Sequence, residues 1–454
     1  MEKLHRFFEL RPAIRVHYEQ EGSFFDYVRR MKVRLPQRSN SRLSRLILGW
    51  AQAQPFLNVD LKLLRNQLEY CPIVSSADHC GVLDNAILFN ANILFSGMLE
   101  TMALPYQVVF ATTRIPLNNA SNPKGIFFQG RARIFFPTSF HKIPMCLLED
   151  GLRGSSLDEL FRPAALHDLE PRHREFLEEL FFEKLDIPGI CNVRERFDEQ
   201  IPLINHKLWP LYFHKDFRHA QTGLLYIPTE YLVNALVRED IGNPGSRLAA
   251  ILFDPAVRSI YLEEFQGIAG CWSLHAGTHF FWGVNTRKRL VPLRINQDGN
   301  CLESAGADGD FSPVELNPDS LCSMIDERKL IPSLFTEMFL LAFVEGYALL
   351  GGFNQVTYLA WMRVAHEKAM LRLGDWPQAA RYARTMTDGL ICGPMAYPEW
   401  QSGMDCLWQV NSQTGSYQPG FQSGITRLAM DTMMSTSLQQ LITNGVDAML
   451  DVLE

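Results

Sequence analysis

His79 stands beside Asp78 in Ser75-Ser76-Ala77-Asp78-His79-Cys80-Gly81, directly after the apolar run Cys71 to Val74. A histidine titrates near neutral pH, so at the end of a strand it can orient or deprotonate a substrate group, with a carboxylate neighbour to assist. Cys80 is a candidate nucleophile only where its thiolate is stabilised. A loop histidine that merely caps the surface is the competing reading. Cys271, His275 and His279 recur every four residues. On a helix that spacing stacks side chains within reach of one metal. Gly270, Gly277, Thr278, Phe280, Phe281 and Trp282 favour strand and turn instead, and residues four apart on a strand lie roughly 13 Å from each other. A shared zinc is therefore disfavoured. His279 stays as a catalytic or ligand-binding candidate, against a hydrogen-bonded structural histidine.

A second group of candidates is polar and amide-rich. In Leu350-Gly351-Gly352-Phe353-Asn354-Gln355-Val356-Thr357-Tyr358 an apolar run meets a glycine pair and then polar side chains. Gly351 and Gly352 allow close approaches denied to residues with a Cβ, so Gln355, Thr357 and Tyr358 could meet a ligand against bare backbone. A tight turn inside the core is the plainer alternative. Arg114, followed by Asn118-Asn119 and Lys124, offers a cation for an anionic substrate and amides for hydrogen bonds, unless the segment is only a turn-rich loop.

These residues need elements to hold them. Cys71 to Ser75 is expected as a short buried strand and Ser76 to Gly81 as a polar turn. Asn85 to Leu104 has apolar positions at helical spacing. Tyr106 to Ala111 and Ala132 to Phe136 are the next expected strands, giving a parallel sheet covered by helices. Ligands in such sheets bind beyond the carboxyl ends of the strands, which would gather Asp78, His79, Thr112, Thr113, Arg114, Asn118 and Asn119 in one crevice. Leu330 to Gly352 reads as a buried helix, and Thr426 to Leu453 as a closing helix. Gly403 to Gly420 is a loop or lid candidate. The expected fold is α/β, a Rossmann-like parallel sheet core flanked by helices, with a helical insertion and a helical C-terminal part. The expected division is an N-terminal helical extension (1–69), a first part of the core (70–150), a helical connector (151–222), a second part of the core with the Gly-Gly block (223–400), and a loop with the C-terminal helix (401–454).

Composition narrows the function classes. A net charge of −7 and the lack of long basic runs give no nucleic-acid footprint, leaving a small polar molecule as the expected partner. The most apolar window is interrupted by Glu337 and Glu345, which argues against a membrane span. Nine cysteines without CxxC spacing argue against a disulfide scaffold or zinc ribbon and fit a reducing, cytoplasmic location. The amino terminus lacks the apolar core of a signal peptide. There is no GxxxxGK[ST], GxGxxG after a strand, or GxSxG, so P-loop, dinucleotide and esterase chemistry have no support. Oligomeric state is not legible.

The order of blocks resembles the cysteine ligase family of bacillithiol biosynthesis. Asp78-His79-Cys80-Gly81 before the helix from Asn85 occupies the place of that family's strand-end turn. Arg289-Leu290-Val291-Pro292-Leu293, Phe311-Ser312-Pro313, Leu330-Ile331-Pro332 and the Gly351 to Tyr358 block follow in the family's order. Thr112-Thr113-Arg114-Ile115 stands where the family carries an acidic cluster. The resemblance implies a Rossmann-type core and a bacterial biosynthetic enzyme that joins a small carboxylate, such as an amino acid, to an amine. ATP or ADP with magnesium would be the candidate cofactors. In that reading His79, Asp78 and His279 are catalytic, while Arg114, Asn118, Asn119, Gly351, Gly352, Gln355 and Tyr358 bind substrate. A non-catalytic binding or scaffold protein on the same fold is one alternative. Another is a metal-dependent amide hydrolase, since His275-Ala276-Gly277-Thr278-His279 resembles the metal motif of cyclase-type amide hydrolases, with Phe281 near the place of an expected Asp.

Overall fold

The computed structural model describes residues 2–35, 41–54, 56–117, 126–128, 131–133, 142–161, 166–167, 169–214, 223–273, 277–306, 310–398, 402–404, 406–407 and 424–451. Its centre is the parallel sheet foreseen from the apolar runs. The strands are β1 (Ile73–His79), β2 (Tyr106–Thr112), β5 (Gly223–Pro228) and β11 (Ala348–Leu350), in the order β11-β1-β2-β5. β1 and β2 are joined by the helix Ala86–Thr101, which packs on both strands. Asn85 caps that helix by accepting from the Ile87 and Leu88 amides. Twelve consecutive residues, Leu88 to Leu99, are buried, so this helix is wrapped on all sides and not merely along one stripe.

β1 is longer than the apolar run suggests. Ser76 to His79 is strand, not turn, and its pairing with β2 carries a bulge: Ser75 faces Val109 and Asp78 faces Ala111, three steps of β1 against two of β2. The extra residue re-aims side chains at the strand's carboxyl end, a common device beside functional sites. β11 joins β1 on the edge opposite β2, with Ile73 facing Ala348 and Ser75 facing Leu350. The chain's direction of progress across the sheet therefore reverses between β1 and β11, which opens a crevice above their carboxyl ends.

Two expected elements are replaced. Residues Arg131–Arg133 (β4) do not enter the parallel sheet; they pair antiparallel with Ile126–Phe128 (β3) as a ribbon, and β5 takes the place beside β2. The stretch from Leu330 to Gly352 is not one helix. Leu330–Pro332 (β10) pairs with Phe281–Val284 (β6), Leu334–Met338 and the π-helical turn Phe339–Val344 follow, and Ala348–Leu350 returns as β11. Apart from Leu334, Val344, Gly346 and Gly352 the whole stretch is buried, so a nearly uniform apolar run carried no period from which to tell strand from helix.

The second sheet is antiparallel, in the order β10-β6-β7-β8-β9, with β7 at Leu290–Ile295, β8 at Cys301–Ser304 and β9 at Val314–Glu315. The terminal segments are tied to the core. The Tyr27 phenol oxygen accepts from the Leu390 amide at 2.7 Å. Arg42 pairs with Glu345 and Asp240. The closing helix is two, Arg427–Ser435 and Leu438–Asp451. Gly445 in the second packs so closely on the Gly393 carbonyl that any Cβ would overlap backbone. Among the described residues no helix is long and apolar enough to cross a membrane.

Candidate functional site

The crevice between β1 and β11 is a cleft of about 330 Å³, near the lower end of the size range of small-molecule sites. Its walls include Ser76 and His79 from β1, Thr112 and Arg114 from the end of β2, Glu337, and Gly352 to Gln355 with Tyr358 from the helix Phe353–Arg372. Five residues singled out from sequence, His79, Arg114, Gly352, Gln355 and Tyr358, are thereby brought to one cavity.

Each is held differently. His79 is three steps beyond Ser76 at the end of the bulged strand, largely buried, with Nδ1 lacking a hydrogen-bond partner. Burial, reinforced by the positive charge of Arg114, lowers its pKa to about 4, so the ring is neutral at pH 7 and its free nitrogen can accept a proton or a hydrogen bond. Arg114 is fully enclosed and ion-paired with Glu337. Glu230 lies 3.6 Å from the same guanidinium nitrogen. Glu230 sits in the first turn of the helix Thr229–Ile241 and gathers the loop after β2: it accepts from the Thr112 and Thr113 hydroxyls and from the Thr113 and Arg114 amides, at 2.6–3.0 Å. One guanidinium thus faces two carboxylates, and burial raises the pKa of Glu337 against the opposing pull of Arg114. The cation foreseen for a substrate anion is engaged by the protein's own acids.

The glycine pair also has a concrete role. Gly351 follows β11, and a Cβ there would overlap the Gln355 side-chain amide. That amide folds back over the bare backbone and donates to Ser76 Oγ at 2.8 Å, tying the start of the helix to β1. Gly352 is the N-cap of the helix and supplies no side-chain cap, and this helix start, Gly352 to Gln355, lines the cleft, an end where an anionic group is favoured. Tyr358 lies one turn further on, its pKa raised by burial and by Glu337. Thr357 turns away and donates to the Phe353 carbonyl at 2.8 Å.

Asp78 and His279 lie elsewhere. Side chains alternate along a strand, and Asp78 points beneath the sheet, where both carboxylate oxygens accept from Asn92 at 3.0 and 3.2 Å. Complete burial pushes its pKa up to about 7. His279 lies in the bend that leads into β6 of the antiparallel sheet. Its Nδ1 accepts from the Ile295 amide at 3.1 Å and its ring packs edge-on against Trp272. Asn118, Asn119 and Lys124 lie outside the described residues, as do His275 and most of the lid candidate Gly403 to Gly420. Among the described residues no group of three His, Cys, Asp or Glu side chains could hold a metal ion. Cys80 is buried and its thiol pKa is raised well above the usual value by burial, which opposes thiolate chemistry.

Sequence reading passed over Glu230 and took Glu337 only as a charge interrupting an apolar run. That interruption was the usable signal, because a charge inside such a run needs a partner. Glu230 gave a weaker one, an acid in the first turn after a strand.

The molecule is therefore an α/β protein with a parallel sheet, a strand-end cleft and a neutral, unpartnered histidine in it. No protein-family model, curated protein or solved structure matches the chain.

Proposed function

We propose that the chain is a ligase-like enzyme that joins a small carboxylate, such as an amino acid, to an amine in the cleft above β1 and β11. The observation carrying this reading is His79, a residue of the cleft wall whose buried Nδ1 has no hydrogen-bond partner among the described residues. An attacking amine must lose a proton as the new C–N bond forms. A neutral imidazole with a free nitrogen is suited to accept it. Two acidic side chains, Glu337 and Glu230, flank the single guanidinium of Arg114, which suits an amine-bearing partner on that side. The first-turn amides of the helix Phe353–Arg372 suit a carboxylate or phosphate on the other. Activation of the carboxylate by a nucleotide with magnesium supplies the driving force in this scheme, and Gln355 and Tyr358 position the reactants.

Release of ADP or pyrophosphate from MgATP, measured across a panel of amino acids and amines, tests the reading. Amine-dependent release that falls about 100-fold or more in His79→Ala, with the fold intact by circular dichroism, is expected. Release with no amine dependence, or with none of it lost in His79→Ala, contradicts it.

A non-catalytic binding protein on the same fold is the second reading. Its support is the bracing itself, since Arg114–Glu337 and Gln355–Ser76 leave few side chains free for chemistry. Saturable binding without turnover is its signature.

A further inference from the structure

On the far side of Glu230 lies a second and larger cavity, of about 660 Å³, between the carboxyl ends of β2 and β5, the helix Phe197–Leu208 and the turn after the helix Pro318–Asp326. Four arginines line it, and they divide into two kinds. Arg196 is paired with Asp198 at 2.9 Å, and Arg238 with Asp326. Arg194 and Arg328 have no carboxylate within ion-pair distance among the described residues; each guanidinium is held by a neutral acceptor. Arg194 donates to Gln54 Oε1 at 3.1 Å, and Arg328 to the Cys146 carbonyl at 3.1 Å, an oxygen that Arg196 also contacts at 2.8 Å. Neutral acceptors fix the direction of a cation without cancelling its charge. Arg328 follows the C-cap of the helix Pro318–Asp326, and its left-handed backbone, φ 56°, closes that helix end, with the Lys329 amide donating to the Met324 carbonyl.

The same cavity contains buried acceptors with nothing to accept from. Among the described residues Asp198 Oδ1 and Asn234 Oδ1 both lack a hydrogen-bond partner. Buried polar atoms are nearly always satisfied, so two orphan acceptors beside two guanidiniums outside any direct ion pair mark unused contacts of both polarities, in a cavity that Glu199, Glu230 and Asp326 also line.

We propose that this cavity is a second ligand site, built for a small polar molecule carrying an oxyanion group, phosphate or carboxylate. Arg194 and Arg328 hold the oxyanion, and Asp198 and Asn234 receive hydroxyl or amino hydrogens from the rest of the molecule. The site is independent of the reading of the His79 cleft, although Glu230 belongs to the wall between them and braces the loop that ends in Arg114. A ligand drawn toward the second cavity bears on the cleft through that carboxylate.

Calorimetric titration with inorganic phosphate and, separately, citrate, at constant ionic strength set by chloride, tests the proposal. Saturable binding is expected for at least one probe, about tenfold or more weaker in Arg328→Gln and in Arg194→Gln, and unchanged in His79→Ala. Arg328 is exposed, so its variant keeps the test valid should Arg194→Gln fail to fold. Tighter binding of phosphate assigns a phosphorylated ligand, and tighter binding of citrate a carboxylate. No saturable binding of either probe, binding that survives both arginine variants, or binding lost in His79→Ala overturns the proposal.

Discussion

His79 and His279 carry the same electrostatic signature beside two different sheets. Burial brings the pKa of each to about 4, with a nearby arginine adding to the shift, so a titration curve would not tell them apart. Their hydrogen bonds do. His279, in the bend before β6, spends its Nδ1 on the Ile295 amide of β7, whereas the buried His79 Nδ1, at the end of a parallel strand in the wall of the cleft, has no hydrogen-bond partner among the described residues. Antiparallel pairing consumes polar groups along its whole length. A parallel sheet with a reversal of strand order leaves a gap at one end, and that is where an unspent group can persist. A depressed pKa marks burial; an unsatisfied nitrogen in a cavity marks a candidate for function.

The comparison yields a ranked set of outcomes. The largest effect belongs to the brace beneath the cleft: Glu337→Ala leaves Arg114 enclosed with a poorer set of charges and is expected to cost about 3–5 kcal/mol in urea unfolding. The double variant Arg114→Met with Glu337→Leu should recover most of that loss; a double variant as unstable as the single would refute the ion pair as its source. Next, Gly351→Ala should cost about 1–3 kcal/mol, because the Gln355 amide must leave its place over the backbone. Gln355→Ala in the same background should remove most of the penalty.

The histidines follow. His279→Leu strands the buried Ile295 amide and should lower stability by about 1–3 kcal/mol at pH 7. His79→Gln breaks no hydrogen bond at Nδ1 and should change stability by less than about 1 kcal/mol while lowering activity. Equal losses in the two variants would dissolve the contrast. The pH dependence sharpens it. Both folded pKa values lie below that of an unfolded histidine, so the unfolded state binds more protons as pH falls below about 6.5. Stability is therefore lost on acidification between about pH 6.5 and 4, by up to about 1.4 kcal/mol per pH unit for each group. Removing either histidine should flatten the unfolding free energy across that window by one such contribution. Asp78 runs the other way: its folded pKa, about 7, lies above the unfolded value, so its contribution is present at low pH and lost as pH rises through 7.

Much of the frame was legible in the sequence. The apolar stretch before Asp78, the helix after Asn85 and the run at Tyr106 have distinct periods and caps, and they became β1, its following helix and β2. The cleft was legible through the strand-end rule, which placed His79 and Arg114 together, and through Gly351, whose lack of a side chain does serve close packing against the Gln355 amide. Other parts were not. Leu330 to Gly352 is buried at nearly every position, and a segment buried on almost every side has no polar face to reveal its period. Neighbouring Asp78 and His79 looked like one functional pair, but strand alternation and the bulge at Ser76 and Ala77 send them to opposite sides of the sheet. The Arg114, Glu230 and Glu337 cluster joins residues more than 100 positions apart, a distance that a single sequence does not encode locally.

The most direct test is thermal unfolding of the intact protein, with magnesium, in the presence and absence of ATP, for wild type, His79→Ala and Gln355→Ala. A ligand at about a hundred times its dissociation constant stabilises by roughly 2.7 kcal/mol. For a chain of this size that corresponds to a shift of a few degrees. The account predicts a saturable shift in the wild type that is lost or strongly weakened in both variants. No shift at millimolar nucleotide, or the same shift in all three proteins, would contradict a nucleotide-using site in the His79 cleft.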